Sequence, residues 1–145
     1  MFNIRVYGLI FRSDHVLVSS EQVAGRQVLK FPGGGLEFGE GTLDALRREF
    51  LEETGYSISI LGHLYTTDYF VRSFLSPEDQ VISIYYRAEL EGHSGLDTVA
   101  PVLPDQTFHW IPWKSALPED FTFPIDSEVL RRLQAGELFR PGRET

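Results

Sequence analysis

Cysteine is missing from all 145 residues, which excludes a disulfide framework and any thiolate metal site and leaves nothing that demands an oxidising compartment. Positive charge is scarce: 13 Lys and Arg face 21 Asp and Glu, for a formal net charge of −8. Binding to duplex nucleic acid needs clustered cations against the phosphate backbone, and the nearest approach to a cluster is the pair Arg131 and Arg132. The balance argues against duplex binding. It does not argue against a small anionic substrate, because metal ions and a few placed cations can reverse the potential locally. No apolar run is long enough to cross a bilayer, so no membrane partner is expected. Residues 1–5 lack the charged start and apolar run of a secretory signal, which makes a cytoplasmic location the expectation. The four histidines, His15, His63, His93 and His109, show no paired metal-ligand spacing and are read as structural or exposed. No internal repeat, low-complexity tract or linker interrupts the chain, so residues 1–145 are read as one domain large enough to bury a core.

What is present is the ordinary stock of a globular protein, with 42% hydrophobic and 23% charged residues, and one dense anomaly. A glycine-rich turn, Pro32, Gly33, Gly34 and Gly35, runs towards a segment carrying Arg48, Glu49, Glu52 and Glu53. Thr42 is a plausible N-cap and Gly55 stands where a helix would need a left-handed residue. Between them Leu43, Leu46 and Phe50 recur at helical spacing and predict an apolar stripe that packs on a sheet. Glu49, Glu52 and Glu53, at i, i+3 and i+4, share a different face. Like charges so close repel one another, so their concentration points to a divalent cation and to metal-assisted chemistry. One face of the helix anchors it, and the other presents its carboxylates in fixed positions.

The spacing is more specific than a cluster of acids. Gly34 is followed by Glu40, Arg48, Glu49, Phe50, Glu52, Glu53, Gly55 and Tyr56, which resembles the Nudix box, G-x5-E-x7-R-E-U-x-E-E-x-G-U with U a bulky apolar residue. Every fixed position is filled, although the box covers only about a sixth of the chain. The resemblance implies an α/β (α+β) fold, the family's α/β/α sandwich with a central mixed sheet. It also implies Mg²⁺-dependent, or Mn²⁺-dependent, hydrolysis of a nucleoside diphosphate linked to another moiety. By the same resemblance Glu52 and Glu53 are metal ligands, Glu49 binds a metal or orients the attacking water, and the Gly33 carbonyl can join the metal. Arg48 takes a structural role, its fork pairing with carboxylates that tie the helix to the preceding loop. Glu40 either supports the metal site through water or pairs with Arg48.

The rest of the chain reads as strands and one more helix. Residues 4–11 and 16–18 form a hairpin around Ser13, Asp14 and His15, and polar residues 21–27 read as a surface loop before a short apolar segment over 28–31. Residues 57–70 and 81–90 read as two long antiparallel strands joined by a turn at 76–79. Residues 91–105 are a long loop, of a length that is often functional, and a last strand follows over 107–111. Asp126 or Ser127 caps a second helix with Val129, Leu130 and Leu133 on its buried side, and the tail after Phe139 is read as frayed.

Some family members take a further ligand or base from the loop before the last strand. Asp105 falls there, with Asp97 and Glu91 as other candidates, against the commoner reading of a solvated loop acid. Lys30, Arg72 and Arg87 are candidate phosphate contacts, with solvated surface cations as the favoured reading of each. Tyr65, Tyr69, Phe70 and Phe74 are candidates to stack a nucleobase, with core packing favoured. The proline found downstream of the box in many ADP-ribose pyrophosphatases of the family is absent near Arg72, and the L-L-T-x-R type motif of coenzyme A pyrophosphatases is absent from residues 17–30. Nucleoside triphosphates, dinucleoside polyphosphates and nucleotide sugars stay open, as does a homodimer. Two competing classes are a catalytically inactive nucleotide-sensing or protein-interaction module on the same fold, and a structural Ca²⁺ site.

Overall fold

The computed structural model describes residues 1–138, so the expectation of a frayed tail after Phe139 lies outside the described residues. Seven strands and two helices follow one another as β1 (Phe2–Arg12), β2 (His15–Val23), β3 (Arg26–Lys30), β4 (Gly33–Gly35), α1 (Thr42–Thr54), β5 (Ile58–Thr66), β6 (Gln80–Leu90), β7 (Gln106–Pro112) and α2 (Pro124–Gln134). A single 3₁₀ turn, Pro118–Asp120, leads into α2. The strands form one mixed sheet in the order β3-β2-β1-β6-β5, with β4 paired to β1 and β7 to β2. Only β1 and β6 run parallel, from Phe2 opposite Gln80 to Ile10 opposite Ala88. Among the described residues no helix is long and apolar enough to cross a membrane.

The period of two along the central strands decides where the helices go. Val6 and Ile10 of β1, Leu17 of β2, Ala88 of β6 and Phe108 of β7 form one cluster with Ala45, Leu46 and Phe50 of α1. The alternate residues Tyr7, Leu9, Val16, Val18 and Tyr85 form the other with Ile125, Val129, Leu130 and Leu133 of α2. The helices therefore cover opposite faces, and the layering is that of the α/β/α sandwich read from the sequence.

Several local readings are corrected. Gly41, not Thr42, is the N-cap of α1; the Asp44 carboxylate reaches back to accept from its N–H at 3.3 Å, while the Thr42 hydroxyl meets the Tyr86 hydroxyl at 2.7 Å. Leu43 is 39% exposed and the buried stripe is Ala45, Leu46 and Phe50, because Leu43 faces away from the sheet. Gly55 does adopt the left-handed conformation, φ 77°, and donates to the Leu51 carbonyl at 3.0 Å. The polar stretch 21–27 is mostly strand: only Ala24 and Gly25, both with positive φ, make the turn between β2 and β3, the signature of a two-residue hairpin. The glycine turn contributes a short strand, β4, laid antiparallel on Arg5–Tyr7. Helix α2 starts earlier than expected, with Phe123 as N-cap and Pro124 in the first turn, where its missing N–H costs nothing. Asp126 and Ser127 thus lie inside the helix and are buried.

Phe50 is the pin of the α1 face, fully buried among Val6, Leu46 and Ile10. Phe50→Ala is expected to lower unfolding free energy by about 3–5 kcal/mol, read as a shift of the urea midpoint at unchanged slope.

Candidate functional site

The site is built where the glycine strand meets α1. Gly34 passes so close to the helix that a Cβ there would stand 2.5 Å from the Glu49 carboxylate. A side chain at this position would expel Glu49, which is a physical reason for glycine. Arg48 ties the helix to the loop that precedes it. Its Nε donates to Glu40 Oε2 at 3.0 Å and its Nη2 to Glu40 Oε1 at 2.6 Å and to the Gly35 carbonyl at 3.0 Å. Its Nη1 donates to Glu49 at 3.1 Å and to Glu52 at 3.3 Å. The bidentate pair with Glu40 is the geometry that a lysine cannot reproduce. Of the two readings of Glu40, the structure contains the Arg48 pair, and that pair holds the Glu40 carboxyl below its ordinary range.

The three box acids sit in different surroundings. The Glu52 side chain is 56% exposed and turned towards Arg48. Glu53 is 5% exposed and accepts from Gln106 Nε2 at 2.6 Å. Gln106 Nε2 also lies 2.9 Å from Glu21 Oε2 and 3.1 Å from Ser19 Oγ, while its own carbonyl oxygen is buried without a partner. Burial raises the Glu53 carboxyl, the neighbouring Glu49 carboxylate adds to the rise, and Lys30 and Gln106 oppose it.

Lys30 is not the solvated surface cation the sequence suggested. It is 3% exposed, and its Nζ donates to the carbonyls of Phe31 at 3.1 Å and Gly33 at 3.3 Å, with Glu21 at 3.9 Å. A buried ammonium among acids offsets part of their repulsion. Arg72 donates to the Pro77 carbonyl at 2.5 Å and lies over the Phe70 ring, and Arg87 lies on β6. Asp105, Asp97 and Glu91 are all exposed, as solvated loop acids are. The residue that the end of this loop turns inward is Gln106, the neighbour of Asp105. No rule about acids could find it, but Gln106 and Phe108 alternate inward along β7, and a polar residue at an inward strand position was the available signal. Of the four aromatics, Tyr65 is core, whereas Tyr69, Phe70 and Phe74 are exposed, which corrects the core reading for those three.

Beside the carboxylates opens a cavity of about 310 Å³ whose lining includes Arg5, Tyr7, Lys30, Phe74, Tyr85 and Asp126. Lys30 and Glu21 border both the cavity and the Glu53–Gln106 pair. Asp126 is buried at its wall, accepting from the Tyr85 hydroxyl at 2.5 Å and the Phe31 N–H at 3.4 Å. Burial pushes its carboxyl up to about 6, against the opposing pull of the Tyr85 hydrogen bond and Lys30.

Among the described residues no three His, Asp or Glu side chains converge as a ready-made metal cage. The donor set nevertheless fits Mg²⁺, which binds through one or two carboxylates plus substrate phosphates and keeps several waters. Glu49 and Glu53 supply two such carboxylates, and the raised proton affinity of buried Glu53 marks a place where a cation can stand in for a proton.

The family model described as NUDIX domain matches residues 1–133. The structure is similar to a NUDIX hydrolase from Nitrosomonas europaea, at TM-score 0.74 and 22% identity over 97% of this chain and 94% of that one. It is similar to the E. coli ORF135 protein, at 0.69 and 19% identity over 98% and 95%. A MutT NUDIX hydrolase from Burkholderia pseudomallei gives 0.68 and 18% identity over 92% and 98%. At these identities the solved structures speak to the fold. No curated protein matches the sequence.

A carboxyl whose proton affinity is raised by folding stabilises the protein below its unfolded value and withdraws that stability as pH rises through the folded one. For Glu53 that window runs from 4.5 to about 8. Metal-free protein is therefore expected to lose thermal stability across this range, and Glu53→Gln to flatten the loss, leaving the part below about pH 6 that Asp126 contributes. Melting temperatures measured in chelator across the range check both.

Proposed function

The chain belongs to the NUDIX domain family, and from that premise we propose that it hydrolyses the pyrophosphate bond of a nucleoside diphosphate linked to another moiety, with water attacking phosphorus. The observation that carries the reading is the meeting of Glu53 with Glu49, which itself lies against Gly34, beside a cavity large enough for an organic group. A diphosphate lying at that junction places its phosphates against the acids and its organic part in the cavity.

The chain's own residues divide the work. Arg48, through Glu40 and the Gly35 carbonyl, fixes the helix against the glycine strand and so fixes where Glu49 points. Gln106 holds one oxygen of Glu53 from the opposite side. Lys30 keeps positive charge at the junction. Residues that would hold Mg²⁺, or Mn²⁺ in its place, are Glu49, Glu53, Glu52 and the Gly33 carbonyl; when bound, the ion supplies charge neutralisation on the phosphoryl oxygens and a water acidic enough to attack. The water oxygen forms a bond to phosphorus, the bridging P–O bond breaks, and two phosphorylated fragments leave. Glu49 is within the set that can receive the water's proton.

Turnover of one or more members of a nucleotide panel in Mg²⁺, with identification of both products, is the expected result. Glu53→Gln is expected to cut the rate at least a hundredfold with an unchanged circular dichroism spectrum. A rate close to that of the unmodified protein would remove Glu53 from the assignment.

A further inference from the structure

Arg5 is a cation that the sequence did not single out. It lies on β1 opposite Gly35 of β4, between the box strand and the cavity it helps to line. Its Nη1 lies 3.7 Å from where a Gly35 Cβ would stand, so the guanidinium passes along the glycine strand. Glu49 on one side and Asp126 on the other are within its electrostatic reach. It therefore lies between Glu49 of α1 and the cavity wall at Asp126.

The other cations near this junction are engaged. Lys30 spends its donors on two carbonyls beside Glu21, and Arg72 is taken by the Pro77 carbonyl. Arg5 is different. Its Nε donates to the Tyr7 hydroxyl at 2.6 Å, and the guanidinium rests 5.7 Å from the centre of the Tyr7 ring. Among the described residues no carboxylate or carbonyl accepts from its other four N–H groups, and it takes part in no ion pair. A guanidinium held in a partly buried place, stiffened by a hydrogen bond and a ring yet left with its fork free, is prepared for an anion that arrives from outside. The fork fits two oxygens of one phosphate.

We propose that Arg5 is a substrate-binding residue that grips a phosphate of the diphosphate as it crosses from the Glu49–Glu53 junction into the cavity. The assignment rests on the reading that a diphosphate binds here. It makes binding depend on the phosphate groups themselves, whatever the organic moiety attached to them.

The test uses methylenediphosphonate, which carries two linked phosphonates, no nucleoside and no hydrolysable bridge, titrated calorimetrically into the protein in Mg²⁺. Arg5→Met is expected to weaken binding ten- to a hundredfold at unchanged melting temperature, and Arg5→Lys to weaken it less, since an ammonium keeps the charge without the fork. On any nucleotide that is turned over, KM is expected to rise by a similar factor while kcat stays within a few-fold. Equal diphosphonate affinities in all three proteins would overturn the assignment, as would a fall in melting temperature with affinity unchanged, or no binding by the unmodified protein. If Arg5→Met does not fold, the Arg5→Lys comparison decides in the same way. The outcomes separate the two readings. Weakened diphosphonate binding without turnover of any nucleotide sustains Arg5 and sinks the hydrolase, whereas turnover with unchanged KM sustains the hydrolase and sinks Arg5.

Discussion

Two carboxylates one helical turn apart are held together, one of them against a strand that has no side chain to keep it away. Glu49 occupies the space that any Cβ at Gly34 would fill, and Glu53 is buried one turn further on. Such a pair is unfavourable by itself, because each charge raises the cost of the other and burial raises both. The surrounding structure compensates from several elements at once. Arg48 answers from within the helix, Lys30 from β3 and Gln106 from β7. The helix is fixed by its Arg48–Glu40 fork on one side and by Phe50 in the sheet on the other. None of these contacts does chemistry, but without them the acids would relax into solvent.

How far the sequence revealed this depends on whether the determinant was local. The box spacing, the left-handed Gly55 and the alternation of apolar residues along the strands are local, and each was legible. The cap of α1 was misplaced by one residue because Gly41 has no side chain to announce itself, while Thr42 has the usual chemistry for a cap and uses it on Tyr86 instead. The β2–β3 hairpin was hidden because its polar residues read as loop, although only Ala24 and Gly25 turn. The burial of Lys30 was not legible at all. Its Nζ lies 3.9 Å from Glu21, whose own partner Gln106 stands 85 residues further along the chain.

Gln106 illustrates a limit of reading sites by residue type. The sequence argument looked for an acid before the last strand and found Asp105, whose backbone turns through a positive φ and whose carbonyl accepts from the Gln22 N–H. That turn leaves Asp105 in solvent and directs its neighbour inward. An amide suits the inward place better than a third carboxylate would. Its N–H₂ donates to Glu53 and Glu21, where another acceptor would only add repulsion. The cost is a buried carbonyl oxygen without a partner, which is of order 1–3 kcal/mol for such a group.

The position of the site follows from the way β1 changes partners. Its first half pairs with the glycine strand through Arg5, Val6 and Tyr7, and only its last residues, Phe11 and Arg12, pair with β2. Where the two pairings part, Gly8 donates across to the Pro32 carbonyl, and the sheet opens on that side. The first half of β1 then faces the paired strands β2 and β3 across the gap instead of bonding to them, which brings Arg5, Glu21 and Lys30 around a single cavity. The parallel pairing with β6 supplies the opposite wall through Val81, Ser83 and Tyr85, and α2 closes the far end with Asp126. Had β2 stayed bonded to the other edge of β1 along its whole length, these polar side chains would have no room between them. The gap is thus a consequence of backbone pairing, and the glycines that let β4 lie flat on β1 serve the cavity as well as the helix.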